Sequence, residues 1–193
     1  MRIYPKVEYR NGIHLSQTII YFDSANAEGM CFVSSAKSEF PARAGKILCT
    51  GKTLMLLRAV NRNISALTAV YNKPFSIGNL EIELFPSGFM PGAAQILVKI
   101  EGRTVVYSGN FSLKTRSLAE KVEIKHCDVL VMPTVYGNQK FSFPPEDEVK
   151  NTIISVTTEM LNNGVTPVLL TTTCGIAQEI MHLLSSLNFK VRV

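Results

Sequence analysis

The order of apolar runs along the chain is the feature that most limits its possible folds. Three short runs rich in apolar and β-branched residues come first and are typical of buried strands: TIIYFD (18–23), MCFVS (30–34) and KILCT (46–50). A short helix is predicted in residues 51–63, and a half-buried strand in 75–88, where apolar and acidic residues alternate. QILVKIEGRTVVYSGN (95–110) has the pattern of a hairpin that turns at Glu101-Gly102.

The second part of the chain changes to an alternation of strands and helices. Strands are predicted in DVLVMP (128–133), TPVLLTTT (166–173) and KVRV (190–193). The long helix of residues 144–164 begins with prolines and acidic residues and ends at a glycine, and a second helix is predicted in 174–187. This order predicts parallel strands joined by right-handed crossovers, and an α/β fold.

Length and composition are those of one soluble domain. The chain has 193 residues, of which 46% are hydrophobic and 18% charged, so it can bury a substantial core. No apolar run reaches the roughly 18 residues that a membrane helix needs, and the N-terminus lacks the apolar stretch of a signal peptide. We therefore expect a single cytoplasmic domain over 1–193, β-rich to about 135 and α/β from about 136.

The net charge of +5 is compatible with a polyanionic partner but does not require one. The densest basic group lies in one predicted loop and comprises Lys114, Arg116, Lys121 and Lys125. Aromatic residues do not alternate with these cations, as they do in surfaces that stack nucleobases. The charge pattern favours a solvated surface over a nucleic-acid site, and no membrane contact is expected.

Cysteines and histidines do not fall at metal-binding spacings. The four cysteines form no CxxC pair and three of them lie in or beside strand-like runs, which predicts reduced core thiols. The three histidines fall in different predicted elements, whereas a zinc site usually needs two or three that converge. The residues concerned are Cys31, Cys49, Cys127, Cys174, His14, His126 and His182.

Two further segments raise alternatives. GKILCTGKT (45–53) lies between a strand and a helix like a phosphate-binding loop, but five residues rather than four separate its first glycine from the GK pair. The simpler interpretation is a strand-to-helix turn. A polar patch, Thr171 to Cys174, follows a predicted strand and is typical of α/β clefts, although no base for a Cys174 nucleophile is visible.

Four segments, in order, resemble the metallo-β-lactamase-fold nucleases, above all the exonucleases associated with bacterial DNA ligases and their β-CASP RNA-processing relatives. The segments are FDSANAEGMCFVSSAKSEF (22–40), FPSGFMPGAAQILVKIEGRTVVYSGNF (85–111), DVLVMPTVYGNQKFSFPP (128–145) and TPVLLTTTCGIAQEIMHLL (166–184). The resemblance implies an α/β fold, a metallo-β-lactamase-like αββα sandwich that is incomplete at its C-terminal side. An uncovered KVRV edge would then favour a homodimer or a partner protein subunit.

The resemblance also implies a metal site, because family members hold two zinc or manganese ions with histidines and aspartates. In the family's loop His-x-His-x-Asp-His, the four ligand positions are occupied here by Ser35, Lys37, Glu39 and Phe40. Phe89 stands in place of the next histidine, Asn110 in place of the bridging aspartate, and Pro133 where relatives have a glutamate. Asp23 remains, and in the family it supports the site. We call these eight residues the vestigial pocket.

The vestigial pocket is expected to hold no metal, no other cofactor and no catalytic residue. Two metal ions about 3.5–4 Å apart need several anionic or imidazole ligands. Among the ligand positions only Glu39 is a carboxylate, while Lys37 would repel a cation and could pair with Glu39 or Asp23. Phe40 and Phe89 are expected to fill the volume that the metals leave, because an empty polar cavity would lower stability.

Three functions remain open at this point. The first is a non-catalytic binding or scaffolding protein, with weak nucleic-acid binding as one form of it. The second is an enzyme without metal that uses Lys37, Glu39 and Asp23 as acid, base and electrostatic groups. The third is a nucleotide-binding or other ligand-binding module built on residues 45–53 or on the polar strand ends.

Overall fold

The computed structural model describes residues 5–41, 46–60, 63–172 and 174–193. The chain divides into two compact units, Met1–Pro133 and Thr134–Val193, which we call the first and second units. The expected organisation as one domain over 1–193 stays a prediction. In the described part of the chain, no helix is both long and apolar enough to cross a membrane.

The first unit contains two sheets. The first sheet has the order β1-β2-β3-β4-β5-β6, with antiparallel pairing from β1 to β3 and parallel pairing from β3 to β6. Its strands are β1 (Val7–Tyr9), β2 (Ile13–Leu15), β3 (Ile20–Phe22), β4 (Met30–Phe32), β5 (Lys46–Thr50) and β6 (Leu67–Ala69). Helix α1 (Gly51–Val60) forms the connection from β5 to β6. The predicted early strands and helix are thus confirmed where the chain is described.

The second sheet has the order β11-β10-β9-β8-β7 and is antiparallel except for the parallel pair β10 and β11. Its strands are β7 (Phe75–Ile77), β8 (Leu80–Pro86), β9 (Ala94–Ile100), β10 (Arg103–Tyr107) and β11 (Val129–Val131). The predicted hairpin turn is confirmed, since Glu101 and Gly102 both have positive φ between β9 and β10.

The main core lies between the two sheets. On β8, Ile82 and Leu84 are fully buried, whereas Glu81 on the other face is exposed, as the alternating pattern predicts. The ring of Phe22 from the first sheet stacks on the ring of Tyr107 from the second, with 4.8 Å between centroids. The sheets therefore bury apolar side chains from both inner faces.

A second core lies on the other face of the first sheet. Leu54 and Leu57 of α1 pack there against Cys31, Ile47 and Cys49. These three strand residues alternate along β4 and β5 with residues of the main core. The first unit is therefore layered as helix, sheet and sheet. This mixed α/β arrangement is consistent with a metallo-β-lactamase-like αββα fold and confirms the predicted fold class.

The second unit contains the helices α2 (Glu146–Asn162) and α3 (Ile176–Ser186). The long helix begins directly after Pro145, as predicted. The strands predicted in 166–173 and 190–193 were wrong: no strand forms within the described residues of this unit, 134–172 and 174–193. A strand exists only by pairing with a neighbour, and apolar residues such as Val168 and Leu170, 80% and 94% exposed, have no strand of their own unit to pair with.

Candidate functional site

Polar residues at the ends of three strands of the first unit meet at one place. Asp23 comes directly after β3, Ser34 and Ser35 follow β4, and Tyr107 is the last residue of β10. Asp23 has a φ of 43°, which turns the chain sharply at the end of β3. Because β3 and β4 are parallel, their carboxyl ends lie at the same edge of the first sheet.

The Asp23 carboxylate is the centre of this cluster. The backbone N–H and the hydroxyl of Ser34 donate to its two oxygens at 2.7 and 2.6 Å. The hydroxyl of Tyr107 donates to the second oxygen at 3.0 Å and ties the second sheet to the first. Three protein donors therefore hold this carboxylate.

Burial controls the proton affinity of the cluster. It raises the pKa of the Asp23 carboxyl above the ordinary value, and the hydrogen bonds from Ser34 and Tyr107 only partly oppose this. Burial and the neighbouring Asp23 charge also raise the pKa of the Tyr107 hydroxyl far above its usual range. The Tyr107 hydroxyl is therefore a permanent donor at neutral pH.

The loop that follows β4 is held by serine hydroxyls. The Ser38 hydroxyl lies 2.9 Å from that of Ser34 and 3.1 Å from that of Ser35, and it accepts a hydrogen bond from the Ser35 backbone N–H at 3.2 Å. The Ser34 carbonyl accepts from the backbone N–H of Ala94 at 2.8 Å, which fixes the loop to the start of β9. A Cβ added at Gly109, which has a φ of 53°, would overlap the Ser34 hydroxyl, so only glycine fits there.

The vestigial-pocket residues have different surroundings. Ser35 is buried in the serine loop, whereas Lys37, Glu39 and Asn110 are exposed. Three hydrogen bonds to Asp23 come from Ser34 and Tyr107. That Lys37 pairs with Glu39 or Asp23 stays a prediction. Lys37 donates its backbone N–H to the Ser35 hydroxyl at 3.3 Å.

The remaining residues of the pocket are partly buried. Phe40 packs against the apolar cluster that α1 forms with the first sheet. The Arg116 guanidinium lies 6.0 Å from the centroid of the Phe89 ring. Pro133 is the last residue of the first unit and is partly buried. That the two phenylalanines fill a vacated metal volume stays a prediction.

The groups that meet at Asp23 do not fit a pair of metal ions as ligands. They are the Asp23 carboxylate, serine hydroxyls and the phenol of Tyr107, whereas two metal ions need several anionic or imidazole ligands. Elsewhere in the described residues, no three side chains of histidine, cysteine, aspartate or glutamate come together as a metal site would require. His14 is buried with its Nε2 donating to the Thr18 carbonyl at 2.8 Å, which is a structural role.

Two cysteines of the first unit behave as core residues, whereas Cys127 is partly buried. Cys31 and Cys49 are buried free thiols on the α1 side of the first sheet. Burial raises the pKa of Cys31 to about 12 and that of Cys49 to about 11. Both thiols are therefore protonated at neutral pH and are poor nucleophiles.

The start of α1 is closed by protein groups, which argues against a phosphate site in residues 45–53. Gly45 lies outside the described residues. The hydroxyls of Thr50 and Thr53 both donate to the Gly92 carbonyl, at 2.7 and 2.8 Å. Lys52 pairs with Glu120, whose other oxygen accepts the Gly92 N–H at 2.9 Å. This segment is the strand-to-helix turn that was the simpler interpretation.

Sequence reasoning missed three members of the cluster, namely Ser34, Ser38 and Tyr107. The signal for the serines was the repeated hydroxyl in VSSAKS directly after a buried strand. The signal for Tyr107 was a phenol at the end of an apolar strand, because a buried tyrosine hydroxyl usually has a polar partner.

Comparisons with known proteins give relatives along most of the chain, although no model of a known protein family matches it. The chain is 29% identical over 181 residues to a probable DNA ligase of Opitutus terrae, covering 91% of this chain and 18% of that protein. It is 28% identical over 122 residues to RNase aCSPSF2 of Saccharolobus solfataricus, covering 62% and 24%. It is 22% identical over 143 residues to the DNA cross-link repair protein SNM1 of Arabidopsis thaliana, covering 72% and 30%.

These relatives show that the chain is related to nucleases of the metallo-β-lactamase family. The chain spans only 18% to 30% of the length of these three proteins. Among solved structures, a protein of unknown function from Enterococcus faecalis V583 matches with a TM-score of 0.47 and 14% identity, covering 67% of this chain and 39% of that chain. That likeness is too distant to inform function.

Proposed function

We propose that this chain is a metal-free, non-catalytic relative of the metallo-β-lactamase nucleases and acts as a binding or scaffolding subunit. The observation that carries the proposal is the set of side chains at the family's ligand positions, which here are a serine, a lysine, a glutamate, two phenylalanines and an asparagine. Asp23, the supporting residue that remains, receives three hydrogen bonds from Ser34 and Tyr107. A carboxylate held in this way is a structural tie between the sheets.

The charges at these ligand positions support the same proposal. The exposed Glu39 is the one carboxylate among them, and the ammonium of Lys37 lies two residues away in the same loop. A cation at a ligand position raises the free energy of a bound divalent ion by charge repulsion. The residues present therefore do not fit the family's metal pair, and no hydrolytic step follows from them.

Hydrolysis without metal finds no support in this geometry. General acid–base chemistry needs a group free to exchange a proton with the substrate. The Asp23 carboxylate is held by protein donors, and Lys37 and Glu39 lie on an exposed loop. We therefore retain the binding role.

The experiment that tests this proposal is the metal content of the purified chain. The protein is incubated with zinc and manganese, desalted and measured by elemental mass spectrometry. We expect well under one ion per chain. A matched variant restores the family loop with Ser35→His, Lys37→His, Glu39→Asp and Phe40→His, and should retain more metal than the natural sequence. One or two tightly held ions in the natural sequence would refute the proposal.

A protein partner or a second copy of the chain is part of the proposal. Three apolar side chains of the first unit, Leu113, Ile124 and Leu130, are 67%, 82% and 55% exposed. They line a half-open cavity of about 200 Å³ on the second sheet. Apolar surface of this kind is typical of interaction sites. Sedimentation equilibrium tests the homodimer, and a monomer at every concentration up to about 100 μM would contradict it.

A further inference from the structure

Three exposed aromatic side chains of the second unit contact one another. The ring of Tyr136 meets those of Phe141 and Phe143 edge to face, with centroids 5.3 and 5.2 Å apart. Tyr136 and Phe143 are 64% and 66% exposed, so the rings hold one another in place and remain accessible. Exposed aromatic side chains are enriched in the contact surfaces of proteins. We call residues 136–148, which continue into the first turn of α2, the aromatic–acidic segment.

The end of the aromatic–acidic segment is negatively charged. The first turn of α2 contains Glu146, Asp147 and Glu148, and all three residues are exposed. Glu146 pairs with Lys150 at 2.6 Å, whereas Asp147 and Glu148 form no ion pair with the residues that the structure describes. Lys140 precedes these carboxylates but is outnumbered by them. The segment therefore combines accessible aromatic rings with negative charge that is not neutralised locally.

The half-open cavity on the second sheet can receive one such ring. Its volume is about 200 Å³, and it is lined by residues of the sheet and of the loop 111–127. Leu113, Ile124 and Leu130 are exposed apolar members of this lining. An apolar cavity of about 150 Å³ holds one benzene molecule in another protein. The cavity therefore has room for the phenyl ring of one side chain.

The loop beside this cavity carries positive charge that its own carboxylates do not neutralise. Lys114 and Lys121 are exposed, each is next in sequence to a residue that lines the cavity, and neither pairs with a carboxylate of the described chain. The two carboxylates of the loop have other partners. Glu120 pairs with a lysine of α1, and Glu123 accepts a hydrogen bond from the amide of Asn72 at 2.9 Å. An acidic partner is therefore favoured at this cavity.

Each copy of the chain thus carries two surfaces that complement each other in size and in charge. We propose that the chain forms a twofold-symmetric dimer in which Phe143 of each copy enters the cavity of the other copy. The free carboxylates of the aromatic–acidic segment then face the free lysines beside the cavity. This reciprocal exchange is a closed, isologous arrangement. The inference rests on the binding role proposed above, and it names a second copy as the partner and both contact surfaces.

The contact area is sufficient for a stable dimer. A buried aromatic side chain covers about 150–250 Å², so the exposed parts of the three rings offer on the order of 300 Å². With a matching area on the cavity side, the two symmetric sites together bury about 1,200 Å². This total reaches the lower end of the range for specific, stable interfaces.

The test is sedimentation equilibrium of the full chain at low salt, up to about 100 μM. We expect a dimer, and Phe143→Ala should raise its dissociation constant at least about 30-fold, the lower limit for a residue that anchors an interface. Ile124→Asp, which places a carboxylate at the cavity, should have a similar effect. Tyr9→Ala and Met55→Asp change residues that are 85% and 64% exposed outside both surfaces, and should leave the dissociation constant unchanged.

Mixing the two weakened variants separates loss of contact from loss of folding. Phe143→Ala keeps the cavity and Ile124→Asp keeps the aromatic ring, so a mixed dimer retains one of its two sites. We expect the mixture to associate more tightly than either variant alone, which misfolded variants could not do.

Charge reversal tests the polar part of the contact. The double substitution Lys114→Glu and Lys121→Glu should weaken the dimer, because like charges would then face each other. Adding Asp147→Lys and Glu148→Lys to the same chain should restore it. Association of the natural protein should weaken as the salt concentration rises, because salt screens these charges.

Three results would overturn this inference: a monomer at every concentration up to about 100 μM, a dissociation constant that neither Phe143→Ala nor Ile124→Asp changes, or a mixture that associates no more tightly than its components. The metal measurement separates this inference from the proposed function. A metal-loaded chain whose dimer depends on Phe143 refutes only the metal-free role. A metal-free chain whose dimer is indifferent to Phe143→Ala refutes only the contact proposed here.

Discussion

The titration of Asp23 predicts that this residue stabilises the folded chain more at acidic pH than at neutral pH. Burial raises the pKa of its carboxyl in the folded state, so the folded protein holds this proton more tightly than the unfolded chain does. The stabilisation is fully present below the unfolded pKa and is lost as pH rises through the folded pKa. Asp23→Asn has a similar shape and cannot titrate.

The size of this effect follows from proton linkage. Between the two pKa values the unfolded chain has released the proton and the folded chain has kept it. The free energy of unfolding then falls by up to about 1.4 kcal/mol per pH unit, which is the value of one proton. Other titrating groups contribute almost equally to both proteins. The natural protein should therefore lose stability relative to Asp23→Asn as pH rises.

The assay is urea unfolding between pH 3.5 and 7, followed by far-ultraviolet circular dichroism. Tyr107→Phe provides a control, because it removes one donor to the carboxylate and should raise the Asp23 pKa further. The pH range of the decline should then move upward, and the lost hydrogen bond should cost about 1–2 kcal/mol. The reasoning would be refuted if the free energy of unfolding of the natural protein, relative to that of Asp23→Asn, stayed constant or increased as the pH rises.

Two other substitutions test the packing around the cluster. Gly109→Ala should destabilise the protein by about 1–3 kcal/mol in thermal unfolding, because the added Cβ would overlap the Ser34 hydroxyl and the backbone has a φ of 53°. An unchanged stability would show that the Ser34 loop can move to accommodate the methyl group. Gln95→Ala removes donors to the carbonyls of Pro86 and Glu123, at 3.0 and 2.7 Å, and should cost about 2–3 kcal/mol. Urea unfolding measures this loss, and a cost below about 0.5 kcal/mol would mean that water replaces the amide.

The parts of the fold that depend on local pattern could be predicted from the sequence. The alternation on β8 correctly placed Ile82 and Leu84 inside, because side-chain direction along a strand has a fixed period of two. The turn at Glu101-Gly102 and the start of α2 after Pro145 follow from the backbone preferences of glycine and proline. These features need no knowledge of distant parts of the chain.

The parts that depend on distant partners could not be predicted in this way. Residues 166–172 have the composition of a strand, but pairing depends on whether a neighbouring strand lies beside them. The hydrogen bond from Tyr107 to Asp23 joins residues 84 positions apart, and sequence spacing contains no trace of it. The ring contacts among Tyr136, Phe141 and Phe143 lie between these cases. The two phenylalanines are visible in the sequence as FSF, but Tyr136 reaches them only through two turns of the chain.

A metal-free site must hold its loops together by other means, and this gives a last prediction. Metal ions that bind only the folded state stabilise it, so their removal lowers stability. Here Ser34 supplies the links itself, because its N–H and hydroxyl bind Asp23 and its carbonyl accepts the N–H of Ala94. A chelator should therefore leave the unfolding temperature unchanged.

Ser34→Ala should reproduce in part what chelation does to a metal-dependent site. It removes one charged hydrogen bond of 2.6 Å at a position that is 1% exposed, at a cost of about 1.5–3 kcal/mol. Ser38→Ala should cost less, because the hydrogen bond of the Ser38 hydroxyl lowers the Asp23 pKa less than those of Ser34 and Tyr107 do. Thermal unfolding of the three proteins with and without chelator measures both effects. A fall of several degrees on chelation of the natural protein would show that an ion, and not Ser34, holds the strand ends together.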